Sequence, residues 1–135
     1  MHYTQEDFTE ELLQTISSIE KELLDFSEDF LDKYDPEPVR KYKMEAEFEL
    51  SGTHPFKPGY HSAVSVLIAD EEDSMLIRTI SIWSCTAHFL GIPVSAKIIG
   101  SKLVGELLDN SAVSVKNELR SFIRENMGIQ DKRMV

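Results

Sequence analysis

Residues 61–100, HSAVSVLIADEEDSMLIRTISIWSCTAHFLGIPVSAKIIG, hold the densest run of Val, Ile and Leu in the chain, together with Trp83 and the single cysteine, Cys85. β-Branched and aromatic residues in such runs suit the pleated surface of central strands, and one acidic turn and one Gly-Ile-Pro divide the run into segments. A sheet is therefore the element around which the rest of the chain must be arranged.

The segments before and after this run complete the pattern. Tyr42, Met44, Ala46, Phe48 and Leu50 alternate with Lys43, Glu45, Glu47 and Glu49. That period of two marks a strand with one wet face. A loop of turn formers over 51–59 leads to a second strand over 60–69, and an acidic turn at 70–74 leads to a third over 75–85. Residues 84–91 are open between strand and short helix. Strands over 94–99 and 102–108 flank Gly100-Ser101, a type II′ hairpin signal.

Helices are expected at both ends. Leu12, Ile16, Ile19, Leu23, Phe26 and Phe30 follow the 4, 3, 4, 3, 4 spacing of a heptad seam, widened by Leu13, Leu24 and Leu31. Thr4 with Asp7 offers a capping box at its start, Asp35-Pro36 stops it, and Ser17 with Glu20 is a second box that leaves open whether the helix is one piece or two. Unbroken over 5–33, this helix would be ~43 Å long, against a domain diameter of about 37 Å. An overhanging apolar seam asks for a second chain, so a homodimer joined through it is expected; the plain alternative is that the seam is core. Ala112, Val115, Leu119, Phe122 and Ile123 form the apolar stripe of a final helix, with caps available at 109–111 and a C′ glycine at Gly128.

Length and periodicity together predict one α+β domain over 1–135: an acidic N-terminal helix over 1–35, a sheet over 40–108, a C-terminal helix over 111–127 and a tail over 129–135. The expected architecture is two-layer, an antiparallel sheet of about five strands with the long N-terminal and the C-terminal helix packed on it. This order of elements resembles in outline the small dimeric secretion chaperones and, more loosely, immunity proteins that neutralise toxins. The middle helix that the chaperones imply would be very short here.

Charge sorts the function classes. The net charge is −10, and residues 1–37 carry all of it, with twelve acids against Lys21 and Lys33. The remaining residues balance. An acidic arm on a neutral body argues against direct binding to nucleic-acid phosphates and favours a basic protein partner, or solubility alone. Asp25, Glu28, Asp29 and Asp32, off the seam, are the candidate partner-binding residues. Lys116, Arg120 and Arg124 at i, i+4 and i+8 make a basic stripe that can take up part of the acid internally. The first residues have neither the basic start nor the apolar core of a signal peptide, and no run approaches the ~20 apolar residues of a membrane helix. A lone thiol suits a reducing compartment, so a cytoplasmic protein without membrane association is expected.

Candidate chemistry is sparse. Cys85 and His88 would need a helical turn to meet, so Cys85 reads as structural. His54 and His61 flank PFKPGY and, with Glu49 or Asp70, have donor types that suit zinc, but nothing sets their spacing and no third ligand is identifiable, so they read as solvated loop histidines. Asp70, Glu71, Glu72 and Asp73 lack the alternating ligands and glycine of a calcium loop. No phosphate-loop, HExxH, paired CxxC or GxSxG motif occurs, and no cofactor is implied. The sequence favours a non-catalytic acidic interaction protein of inhibitor, immunity or chaperone type. The alternative is a small-ligand-binding or enzymatic domain with a pocket near 54–61 and 83–88, lined by His54, Lys57, Tyr60, His61 and Trp83.

Overall fold

A computed structural model describes residues 1–34, 43–69, 75–94 and 99–127. The link at 36–38, the acidic turn at 70–74, most of the expected strand 94–99, Gly128 and the tail lie outside the described residues. The elements are β1 (His2–Thr4), a single 3₁₀ turn (Gln5–Asp7), α1 (Glu10–Tyr34), β2 (Lys43–Ser51), β3 (His61–Ala69), β4 (Met75–Phe89), β5 (Ile92–Val94), β6 (Lys102–Leu107) and α2 (Ala112–Met127). Every strand pairing is antiparallel, the order across the sheet is β1-β6-β4-β3-β2, and β5 pairs with β4. Both helices pack on the sheet, so the two-layer α+β architecture holds, with six strands among the described residues where about five were expected.

Local chemistry corrects the expected helix start and decides two points that the sequence leaves open. The Thr4–Asp7 capping box exists, with Thr4 N–H donating to Asp7 Oδ2 at 3.0 Å, but it caps only the 3₁₀ turn. Thr9 is the cap of α1, its Oγ1 accepting the Leu12 N–H at 3.2 Å. Starting at Glu10, α1 is 25 residues long, about 37 Å at ~1.5 Å per residue, and no longer overhangs the domain. It runs unbroken through Ser17 and Glu20. Residues 84–89 continue β4 as strand, and Leu90 and Gly91, both at positive φ, turn the chain tightly into β5. The short middle helix implied by the chaperone outline is therefore absent from this stretch.

The heptad seam is the inner face of α1. Leu12, Ile16, Leu23, Phe26 and Phe30 are buried and Ile19 partly so, in one cluster with Met44, Val64, Val66 and Ile68 from β2 and β3. The seam expected to join two copies is thus covered within its own chain, where α1 lays this apolar stripe on the sheet.

A β-bulge sets the other half of the core. The register between β3 and β4 shifts between Ser62 and Ala63, leaving Ile82 as the extra residue. Ile82 and Trp83 are both buried beyond that kink, followed by Cys85 and Ala87 at alternate positions. Tyr3 and Phe8 from the N-terminal segment and Phe56 from the 51–60 loop close over the Trp83 indole, with ring centroids at 6.0, 5.8 and 6.2 Å. The opposite sheet face presents Glu45, Glu47 and Glu49 to solvent.

Candidate interaction surface

The acids of α1 follow from its buried face. With the seam turned to the sheet, Asp25, Glu28 and Asp29 are left on the outer side; the side chain of Asp32 lies outside the description. Lys21 Nζ stands 3.6 Å from Asp25 at i,i+4. The basic stripe of α2 meets this helix as anticipated, Lys116 Nζ lying 3.0 Å from Glu22 and the Arg120 guanidinium 5.6 Å above the Phe26 ring. Between the helices, Glu22, Asp25, Phe26, Asp29, Phe30, Lys116 and Arg120 line a cleft of about 200 Å³. Arg124 instead donates to Ser121 Oγ at 3.1 Å. The Lys116–Glu22 and Lys21–Asp25 pairs lie at the surface and each contribute ~0–1 kcal/mol, so they neutralise acid more than they hold the helices together.

The residues expected to line a ligand pocket are brought together only in part, and mainly as packing. Trp83 is fully buried and its Nε1–H donates to Pro55 O at 2.7 Å, pinning the 51–60 loop. Tyr60 is buried and its hydroxyl donates to Glu20 Oε2 at 2.7 Å, which tethers the same loop to α1. His54 is exposed, with Nδ1 accepting the Phe56 N–H at 3.0 Å, and Lys57 lies three residues further along the same loop. His61 points elsewhere, its Nε2 3.0 Å from Ser81 Oγ in a groove with Ser84, Glu106 and Asp109. The Asp109 carboxyl is held below its usual range by the Met1 amine, 2.6 Å away.

Among the described residues, no three His, Cys, Asp or Glu side chains come together as a metal site. The turn Asp70–Asp73 lies outside them. Cys85 and His88 sit in one strand three residues apart, so their side chains leave opposite faces of the sheet. Among the described residues, no helix is long and apolar enough to cross a membrane.

Burial pushes the Cys85 thiol up from 9.0 to about 11. Burial also raises the Tyr60 hydroxyl above its ordinary 10.0, reinforced by its bond to Glu20 and by that group's charge. Both groups bind their protons more tightly when folded. Their contribution is complete below the unfolded values and is lost as pH rises, from about 9 for the thiol and 10 for the phenol. The melting temperature should fall between about pH 9 and 11, and less steeply in Cys85→Ala than in the wild type. Parallel pH profiles for the two proteins would show the thiol to be irrelevant.

Sequence reasoning missed the aromatic closure over Trp83, because Tyr3, Phe8 and Phe56 come from segments that show no periodicity. It also passed over Glu45, Glu47 and Glu49 as a second acidic row, although their alternation was visible. No family model matches the chain, and neither the curated proteins nor the solved structures contain a match to it.

Proposed function

We propose that this protein is a non-catalytic, acidic interaction protein of inhibitor, immunity or chaperone type, cytoplasmic and homodimeric, that holds a basic protein partner. The observation that carries the reading is the crowding of acid on the outer face of α1. Asp25 and Asp29 are a like-charge pair at i,i+4, a spacing that weakens a helix by ~0.2–0.5 kcal/mol, and Glu28 is exposed beside them. Among the described side chains of α1, Lys21, 3.6 Å from Asp25, is the one lysine interleaved with these acids, so the charge is offset only in part. Concentrated on one rigid element, the charge creates a field that speeds encounter with a basic surface. The buried thiol of Cys85 accords with a reducing compartment.

The test begins with co-purification of the partner from the native cell. Association kinetics are then compared for the wild type and the Asp25→Lys, Glu28→Lys, Asp29→Lys, Asp32→Lys variant. The fold should survive, since these positions lie off the apolar seam. The on-rate should drop roughly tenfold or more at low salt and converge with the wild type at high salt, where screening shortens the field. Equal on-rates at both ionic strengths would reduce the acidic face to a solvated surface.

The second reading, a ligand-binding or enzymatic domain, draws on the groove around the His61–Ser81 pair. Among the described residues, however, no carboxylate bonds the other nitrogen of His61 to orient it as a base.

A further inference from the structure

β4 is fifteen residues long, and its longer neighbours, β3 and β6, divide it unequally, with β5 pairing only over Ala87–Phe89. On one side β3 pairs with the stretch from Met75 to Ser84. On the other side β6 pairs only from Trp83 to His88, and the last contact is Leu108 N–H to Ile82 O at 2.9 Å. Among the described residues, nothing pairs with the β6 side of β4 from Met75 to Ser81. The side chains report the same open edge: Met75 is 59% exposed, Leu76 46% and Ile77 57%, although they alternate between the two faces of the sheet.

Open strand edges are templates for pairing, and soluble proteins usually blunt them with charge. The outer edge of this sheet, β2, carries Lys43, Glu45, Glu47 and Glu49. The free stretch of β4 carries Met, Leu, Ile, Thr, Ile and Ser, and its one charge, Arg78, is hydrogen-bonded to Glu118 of α2. An edge whose single charge is already paired within its own chain is open to a second copy of itself.

We infer that the edge of β4 from Met75 to Thr79 is a homodimer interface, occupied by the same stretch of a second copy running antiparallel. The inference rests on the homodimeric part of the proposed function and supplies its surface. Charge selects the second copy and this edge. α1 packs chiefly against β2, the edge strand on the β3 side of β4, and touches β3 and β4 less, so most of the acidic helix lies away from β4's free edge. Joining two chains through β4 keeps both acidic helices outermost and free for basic partners. Joining them through β2 would set the two rows of Glu45, Glu47 and Glu49 against each other. Pairing centred on Ile77 places the two Ile77 side chains at the symmetry axis and Met75 opposite Thr79. It also sets Leu76 opposite Arg78, on the side where Phe122 lines a shallow cleft with Arg78, and it keeps the two Arg78 side chains from facing one another. The operation is two-fold and closes on itself, so it predicts dimers and no larger species.

Light scattering coupled to gel filtration on the full chain, from about 1 to about 100 μM, tests this. The wild type should run as a dimer. Ile77→Lys, at an exposed position that leaves the core intact, should raise the dissociation constant roughly tenfold or more and give monomer with an unchanged circular dichroism spectrum. A dimer that survives Ile77→Lys and Met75→Lys would overturn the interface while leaving the homodimer standing. A monomeric wild type at every concentration would overturn both, and an open ladder of larger species would overturn the closed two-fold.

Discussion

Gly105→Ala is expected to destabilise the fold by about 3 kcal/mol or more, an unusually large effect for one methyl group in a strand. Gly105 lies in β6 between Cys85 of β4 and Tyr3 of β1. A Cβ built on it would overlap the six-membered ring of Trp83, meeting Cη2, Cζ2 and Cζ3. The indole has nowhere to retreat. Its N–H is bonded to Pro55 O, and Tyr3, Phe8 and Phe56 close around it, with Phe8 and Phe56 themselves stacked at 4.6 Å. Glycine in a strand is ordinarily a weakness, tolerated where another group must approach closely, and here that group is the largest fully buried side chain among the described residues. Urea denaturation followed by circular dichroism should show the lowered midpoint. Trp83→Phe should lose stability alone, yet Gly105→Ala should cost much less on that background because the smaller ring leaves room. Additive losses in the double variant would mean that the overlap is not the cause.

This residue also marks where sequence reading stops. The alternation in β2, the apolar runs of β3 and β4 and the stripes of both helices are local patterns, and local patterns reveal which residues turn inward. They do not reveal what the inward side chains meet. Gly105 reads in sequence as an ordinary strand residue, because the indole that requires it stands twenty-two positions earlier. β1 has only three residues, and its partner, β6, begins about a hundred positions later, so no window contains the pairing. The free edge of β4 is hidden for a related reason: it depends on where β6 stops, not on anything within 75–81. The acidic face of α1 is legible because burial of the seam, by whatever partner, turns the remaining positions outward. The helix start is less so. Thr4 and Thr9 both carry cap chemistry, and the acid three residues after Thr4 makes the wrong one look the stronger.

Leu23→Ala is the second large expectation, and it separates the two roles that a heptad seam can have. Leu23 is fully buried in the cluster that includes Ile16, Phe30, Val64 and Val66. Truncating a leucine in such a site removes its transfer free energy and leaves a cavity, for a loss of ~2–5 kcal/mol. The loss should appear as a lower urea midpoint with an unchanged slope, and it should have the same size on the Ile77→Lys background, where association through β4 is removed. A seam that joined two copies would behave differently. Its truncation would shift the monomer–dimer balance, its effect would fade as protein concentration rose, and the isolated monomer would unfold no more easily than before. Denaturation at two concentrations about twentyfold apart distinguishes these cases. A midpoint difference between the wild type and Leu23→Ala that is constant across both concentrations identifies the seam as core. One that shrinks on concentrating the protein would return the seam to the interface.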